Sequence, residues 1–321
     1  MKLAEVLSQN MDSQWSLSKQ AGVTHVVGRL PKKASGEVSW DFMDLLHMKK
    51  QYDDFGLKLE VLEPGHEMLM NHIKLATDRR DEEIANIQAL IRHMGKLNIP
   101  VLCYNFMAHF NWIRTSLAVP TRGGALVTGY DHTLMQDAPL TEAGVVTEEQ
   151  LWERLEYFLK QVVPVAEEAK VRLSLHPCDP PLSPIRGIAR IITSASAMKR
   201  AIELVPSEYS GVTLCQGTFA TAGEDIPALI RELGGRGKIF FLHFRDVRGT
   251  PDKFVETFHD DGKTNMFEAV KAYKEIGFNG PVRVDHVPTM EGEMNVVPGY
   301  ASIGRLYALG YLRGLMEGAG Y

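Results

Sequence analysis

The sequence has few cysteines and none of the glycine-rich motifs that cradle nucleotide phosphates. Its 321 residues include three cysteines, Cys103, Cys178 and Cys215, an odd number without a closely spaced pair. A disulfide framework is therefore not expected, and this usage suits a reducing compartment, for which we expect the cytoplasm. No G-x-G-x-x-G follows an early strand pattern and no P-loop is present, so nothing in the sequence favours nucleotide binding.

The chain also lacks a strong charge imbalance and a long apolar run. Its 35 basic and 40 acidic residues are mixed along the sequence and leave a net charge of -5. There is no basic stripe for nucleic acid and no polybasic patch for a membrane surface. No segment reaches the roughly 18 apolar residues of a membrane helix, and polar residues interrupt the first 20 positions, unlike a signal peptide. We therefore expect a soluble protein that binds small molecules.

The sequence does contain a regular alternation of short apolar strands and amphipathic helices. Strands are predicted at residues 2–7, 24–30, 57–62, 99–104, 171–176, 211–215, 238–243 and 281–285. A helix is predicted after each strand, and Ser39 is the expected cap of the second helix. Eight such units favour a closed (β/α)8 TIM barrel, of the α/β class, over an open sheet. We expect one domain over residues 1–321, with a long, irregular active-site loop at about 105–147.

Four consecutive strands in the second half of the chain end in residues that bind metal ions. These residues are His176, Cys215, His243 and Asp285. Because the C-terminal ends of neighbouring barrel strands surround one active site, the four side chains can converge. Two imidazoles, a thiolate and a carboxylate suit a catalytic divalent ion. A single buried Cys or strand-end His is usually only structural, so the prediction depends on the four positions together.

Short motifs along most of the chain form one recognisable series. They are Tyr104-Asn-Phe-Met107, Trp112-Ile-Arg-Thr115, His176-Pro-Cys-Asp-Pro-Pro181, Arg190-Ile-Ile-Thr193, Gly211-Val-Thr-Leu-Cys215, His243-Phe-Arg245, Asp285-His286 and Pro298-Gly-Tyr300. The series resembles that of the D-mannonate dehydratases, metal-dependent lyases of hexuronate catabolism. The resemblance implies a xylose-isomerase-like barrel with a manganese-type ion on the four strand-end residues. It also implies that His286 and Tyr300 handle protons.

His286 directly follows Asp285, and successive strand residues point to opposite faces. It can reach the mouth of the barrel only if the strand end bends; otherwise it packs under a helix. Tyr300 has the alternative role of an ordinary loop aromatic that covers the core.

Arg245 lies two residues beyond His243, on the same side of its strand. It could clamp a substrate carboxylate bidentately, or it could form a salt bridge with a nearby acid. Asn105, Arg114 and His66 follow the fourth and third strands, where they could bind substrate hydroxyls, although capping or surface roles are the alternative.

Three functions remain compatible with the sequence. The first is dehydration of D-mannonate, or a related sugar acid, to a 2-keto-3-deoxy acid, with a divalent metal and a His/Tyr acid–base pair. The metal is expected to be Mn²⁺, with Zn²⁺, Co²⁺ or Fe²⁺ allowed by the ligand types. The second is a divalent-metal sugar isomerase or epimerase on the same barrel, and the third is a non-catalytic sugar-binding barrel. We also expect a homo-oligomer, either a dimer or a tetramer.

Overall fold

Eight parallel strands close into a barrel in the computed structural model, which describes residues 1–321. The barrel strands are β1 (Lys2–Val6), β2 (His25–Gly28), β3 (Lys58–Leu62), β4 (Val101–Asn105), β7 (Arg172–His176), β8 (Ser210–Cys215), β9 (Ile239–Phe244) and β12 (Pro281–Val284). Their order around the barrel is β1-β12-β9-β8-β7-β4-β3-β2. Barrel strands that follow one another along the chain are therefore neighbours in the barrel. The predicted (β/α)8 barrel is confirmed.

Ten helices surround the barrel, two more than the alternation predicts. They are α1 (Ser13–Gln20), α2 (Phe42–Asp54), α3 (Asn71–Lys74), α4 (Arg80–Lys96), α5 (Glu148–Ala169), α6 (Ala195–Glu203), α7 (Gln216–Thr221), α8 (Ile226–Gly235), α9 (Met266–Glu275) and α10 (Ser302–Ala319). None of them combines the length and the apolar character that crossing a membrane would require.

The predicted cap of α2 is wrong. The helix begins later than expected because Asp41, not Ser39, accepts the hydrogen bond from the backbone N–H of Met43, at 2.8 Å. The Ser39 hydroxyl instead donates to the side chain of Asp44 in the first turn. A carboxylate two residues before a free N–H caps the helix and also complements its dipole.

The connection at 105–147 is not the irregular loop that the sequence predicts. It contains two strands, β5 (Ser116–Pro120) and β6 (Leu126–Asp131), that form an antiparallel hairpin. Strand β6 also pairs with β11 (Lys253–Glu256), which pairs with β10 (Val247–Thr250), so a four-stranded sheet forms in the order β10-β11-β6-β5. The two hairpins were missed in the sequence, and the β6–β11 pairing that joins them links segments more than 100 residues apart, which no local pattern reports.

The interior of the barrel is apolar in one part and polar in another. Six buried residues form a small internal cluster: Ala4, Val27, Val61, Val101, Cys103 and Phe241. A separate core of 75 buried residues fills the space between the barrel and its helices. Buried charged side chains gather where the barrel strands end, the usual position of the active site in such barrels.

Candidate active site

A pocket of about 400 Å³ opens at the C-terminal ends of the barrel strands. Seven of the ten residues predicted for the site line it: His66, Asn105, His176, His243, Asp285, His286 and Tyr300. The other three, Cys215, Arg245 and Arg114, have buried side chains and do not line the pocket. The structure therefore brings strand-end residues from both halves of the chain to one place.

The four predicted metal ligands form one group, which we call the ligand cluster: His176, Cys215, His243 and Asp285. The possible ligand atoms of the two histidines and Cys215 all lie within 4.8 Å of one another. His176 Nε2 is 3.1 Å from His243 Nδ1, and His243 Nδ1 is 3.5 Å from Asp285 Oδ2. Cys215 at the end of β8 is paired with His243 in β9, so the barrel sheet itself places these two residues side by side.

The charge around the ligand cluster favours the ionised forms of its two acids. Burial would raise the pKa of the Cys215 thiol, but Arg245 and His176 hold it well below its usual value. Burial would likewise raise the pKa of Asp285, yet Arg283, His286 and His243 hold it well below its usual range. The cluster therefore offers a thiolate and a carboxylate, the forms that bind metal ions.

Hydrogen bonds orient both histidines of the ligand cluster. His176 Nδ1 lies 2.7 Å from the carbonyl oxygen of Pro177, so its Nε2 faces the cluster. His243 Nε2 lies 3.1 Å from Glu63 Oε1, so its Nδ1 faces the cluster. Such outer hydrogen bonds fix the ring orientation of metal-binding histidines. The donor set of two nitrogens, one sulfur and one oxygen therefore fits a divalent transition metal.

A second group of buried charges lies against the ligand cluster, and we call it the arginine network: Arg114, Arg245, Asp179 and Glu256. Arg114 donates to both carboxylate oxygens of Asp179, at 2.6 and 2.8 Å, and also to Glu256. Arg245 donates to both oxygens of Glu256 at 2.8 Å and to Asp179 at 2.7 Å. All four side chains are at most 2% exposed.

The environment of Arg245 differs from the predicted carboxylate clamp. Its remaining N–H groups donate to Thr218 Oγ1 at 2.8 Å and to Cys215 Sγ at 3.3 Å, so all five donors of the guanidinium are in use. Gly217 permits this close packing, because a Cβ there would lie 2.7 Å from Arg245 Nη1. Arg245 therefore takes the alternative that the sequence left open, a salt bridge with nearby acids.

His286 reaches the mouth of the barrel because the chain bends at that residue. Its φ of 42° lies in the left-handed region, which departs from the extended conformation of β12. Both Asp285 and His286 consequently line the pocket. His286 Nδ1 lies 2.9 Å from Glu256 Oε1 in the arginine network, so its Nε2 is the nitrogen left for other contacts. The bend that the sequence required for an active-site role is present.

Tyr300 stands beside the ligand cluster. Its hydroxyl donates to Asp285 Oδ1 at 3.2 Å, and its ring meets that of His286 edge-on at a centroid distance of 5.6 Å. Gly299 precedes it with φ 85°, a conformation that favours glycine and turns the chain so that the phenol enters the pocket. Burial, together with the negative charge of Asp285, raises the pKa of Tyr300 above its ordinary value.

Asn105 and His66 occupy another part of the pocket wall. The Asn105 carbonyl oxygen accepts from the Met107 backbone N–H at 3.1 Å and from Lys74 Nζ at 3.2 Å, while its amide nitrogen donates to Asn111 at 3.1 Å. Lys74 is fully buried, and this burial lowers its pKa to about 7. The amide of Asn105 is therefore held in a defined orientation toward the pocket.

Sequence reasoning missed several charged residues of the site: Glu63, Lys74, Asp179, Glu256, Arg283 and Arg305. A local signal existed for two of them. Arg283 precedes Asp285 by two positions, which places both on one side of the strand, and Glu63 directly follows β3. No such signal existed for Asp179 or Glu256, which reach the site from a loop and from the unpredicted sheet.

The D-mannonate dehydratase (UxuA) family model matches residues 10–145 and 140–320 of the chain. The mannonate dehydratase of Thermotoga maritima is 36% identical over 331 residues, a match that covers 92% of this chain and 91% of the relative. The chain belongs to the D-mannonate dehydratase family. The predicted family and the predicted enzyme class, a hydro-lyase, are both confirmed.

Solved structures agree with this family membership. The crystal structure of mannonate dehydratase from Streptococcus suis serotype 2 is 32% identical, with a TM-score of 0.89, and the match covers 99% of this chain and 93% of that one. A xylose isomerase domain protein from Planctomyces limnophilus matches at 12% identity with a TM-score of 0.62, covering 99% and 97%. The second likeness shows the fold alone and confirms a xylose-isomerase-like barrel.

Proposed function

We propose that the protein dehydrates D-mannonate, or a closely related sugar acid, to a 2-keto-3-deoxy acid. The observation that carries this proposal is the position of His286 and Tyr300 beside the ligand cluster. His286 Nε2 lies 3.8 Å and Tyr300 Oη lies 3.2 Å from the same oxygen, Asp285 Oδ1. Two proton-handling groups thus stand next to one metal-binding carboxylate, as an elimination of water requires.

The ligand cluster would hold the divalent metal. We infer Mn²⁺ as the ion, and the thiolate of Cys215 also suits Zn²⁺, Co²⁺ or Fe²⁺. A bound divalent ion would supply positive charge that stabilises the enediolate formed when the proton beside the carboxylate is lost. The outer hydrogen bonds that the two histidines donate to the Pro177 carbonyl oxygen and to Glu63 would keep their ligand nitrogens in place.

The two proton-handling residues divide the reaction between them. We assign His286 as the base that removes the proton from C2, because Glu256 holds its Nδ1 and leaves Nε2 to act. We assign Tyr300 as the acid, because its raised pKa keeps the phenol protonated. The C2–H and C3–O bonds break, the C3 hydroxyl leaves as water with the proton from Tyr300, and a C2–C3 double bond forms. The resulting enol then becomes the 2-keto acid.

A product assay tests the reaction. The metal-loaded protein is incubated with D-mannonate, and formation of a 2-keto-3-deoxy acid is followed by colorimetry. The same incubation in deuterium oxide, read by NMR, tests the two alternatives. Deuterium uptake or a new sugar without loss of water would indicate an isomerase or epimerase, and unchanged substrate would indicate a non-catalytic sugar-binding barrel.

The acid and base assignments predict two variants with slow chemistry. Tyr300→Phe keeps the ring that contacts His286 but removes the proton donor, so kcat should fall by about 10² to 10⁴. The kcat of the His286→Asn variant should fall by a similar factor. Metal content by elemental analysis should match the parent in both variants, since neither residue belongs to the ligand cluster. Turnover of Tyr300→Phe at the parent rate with full metal content would refute this mechanism.

A further inference from the structure

One arginine in the pocket wall has part of its guanidinium without a partner. Arg305 lines the pocket, and its side chain is 11% exposed. Its Nη1 donates to the backbone oxygen of Val6 at 2.9 Å and to Glu5 Oε1 at 3.3 Å. Its Nε is buried without a hydrogen-bond partner, and Nη2 donates to no protein group. Because Nε is buried and Nη1 is engaged, Nη2 is the guanidinium nitrogen left to donate to a ligand.

The other arginines near the pocket are less suited to bind an anion. All three nitrogens of the Arg283 guanidinium contact the carboxylates of Glu63 and Asp285. Arg245 uses all its donors within the arginine network and does not line the pocket. Arg29 lines the pocket, but its side chain is 37% exposed and its Nη1 makes only long contacts with Pro64 and Glu67. Arg305 thus combines burial, a fixed position and free donors.

We propose that Arg305 binds the carboxylate of the substrate through Nη2 and so selects sugar acids over neutral sugars. The inference rests on the proposed function, because it assumes that the pocket receives a sugar acid. The Arg305 guanidinium carbon lies 5.4 Å from the centre of the Tyr300 ring, and Tyr300 contacts Asp285. A carboxylate on Arg305 would therefore place C2 and C3 of the same molecule beside the proposed acid.

The surroundings of Arg305 hold it ready for an anion. The backbone of β1 and the side chain of Glu5 fix Nη1, so little side-chain freedom is lost when a ligand binds. Burial raises the pKa of the Glu5 carboxyl group, although Arg305 opposes the rise. A ligand carboxylate would supply an acceptor for Nη2 and a second negative charge beside the guanidinium.

The test compares charged and neutral ligands of the same carbon chain. In the manganese-loaded protein, Arg305→Gln should raise the KM for D-mannonate by about 10- to 100-fold, with a smaller change in kcat, because charge-assisted hydrogen bonds are lost. By calorimetry, D-xylonate should bind more weakly by a similar factor, whereas xylitol, which lacks the carboxylate, should bind as it does to the parent. Arg305→Lys keeps the charge without the fork and should restore only part of the xylonate affinity.

Two further variants make the outcome unambiguous. Arg313→Gln removes a charge from the outer part of the same helix, where Arg313 bonds Ala21 and lies near Glu317, and should change neither KM nor binding. If Arg305→Gln unfolds because Glu5 is left unpaired, KM and ligand binding are measured on the double variant Glu5→Gln/Arg305→Gln instead. An unchanged KM, or an equal loss for xylonate and xylitol, would overturn the assignment of Arg305. Failure of the parent to dehydrate D-mannonate would overturn the proposed function instead, while the ratio of xylonate to xylitol binding would still test Arg305.

Discussion

The ligand cluster and the arginine network are adjacent groups of buried ionisable side chains, and they are built in different ways. In the arginine network two guanidinium groups and two carboxylates neutralise one another, and the hydrogen bonds between them are at most 2.8 Å long. In the ligand cluster, two acids held in their ionised forms lie beside two imidazoles, and His176 Nε2 is 3.1 Å from His243 Nδ1. The first group balances its own charges, although Arg114 Nε has no hydrogen-bond partner, whereas the second offers ligand atoms suited to a cation.

This difference suggests a division of labour between the two groups. A buried network with balanced charges fixes the position of the chain segments that supply it, although its net contribution to stability can be small. Here the network joins the connection before β5, the loop after β7, the end of β9 and the end of β11. It also holds His286 through Glu256. We infer that the network positions the proton-handling residue while the ligand cluster provides the chemistry.

Asp285 provides the sharpest test of this division, because it belongs to the ligand cluster but also contacts Arg245 of the network, at 3.2 Å. Asp285→Asn removes a charged ligand, so metal affinity should fall by more than the ~10- to 100-fold typical of changes outside the ligand shell, and activity should be abolished. Titration with Mn²⁺ measures the affinity, and circular dichroism should show a folded barrel.

The matched variant is Asp179→Asn, which changes a carboxylate of the network that is buried to the same degree. It should lower the melting temperature but leave the stoichiometry of bound metal at the parent value. If Asp179→Asn lost metal as severely as Asp285→Asn, the two groups would have to be regarded as a single unit.

Removal of Glu256 should affect stability more than metal binding. Glu256→Ala leaves Arg114 and Arg245 buried with one acid fewer, and breaking such a buried pair costs about 3–5 kcal/mol of unfolding free energy. Urea denaturation of the metal-loaded protein measures the loss. The control is Glu275→Ala, which breaks an exposed pair with Arg231 and should leave the unfolding free energy unchanged. A Glu256→Ala protein as stable as the parent would contradict the structural role of the network.

A milder change at the same residue tests its positioning role. Glu256→Gln keeps the size of the side chain but weakens the acceptor for His286 Nδ1, so kcat should fall by about 10- to 100-fold while KM changes less. In the His286→Asn background the same substitution should cause little further loss, because the group that Glu256 orients is already absent. Additive losses in the double variant would show that Glu256 affects turnover by some route other than His286.

The same contrast explains which parts of the site could be predicted from the sequence. The ligand cluster comes from the ends of regular strands, so its members follow from strand periodicity and from the rule that active sites lie at the C-terminal end of a barrel. The arginine network depends on how the connections fold. Asp179 lies in a loop, Arg114 precedes β5, and Glu256 ends β11, so their meeting follows from the pairing of β6 with β11. That pairing has no local signature, and the role of Arg245 could not be foreseen without it.

The smallest predicted effect concerns protons released by the ligand cluster when it binds metal. Burial and Arg283 lower the pKa of His243, but Glu63 and Asp285 outweigh them and raise it to about 10, so the metal-free protein holds a proton on this ring at neutral pH. The metal-bound ring cannot hold that proton, because its nitrogen lone pair binds the ion. Cys215, with its lowered pKa, is already a thiolate and should release none.

Metal affinity should therefore rise by about tenfold for each unit of pH between roughly pH 6.5 and 8.5, since His243 would lose one proton on binding. Calorimetry in buffers of different ionisation enthalpy counts the released protons directly. Glu63→Gln removes one of the carboxylates that raise the pKa of His243, so the pH dependence should flatten in this variant. Release of two protons would mean that Cys215 starts as a thiol. Release of none would mean that His243 is already neutral in the metal-free protein.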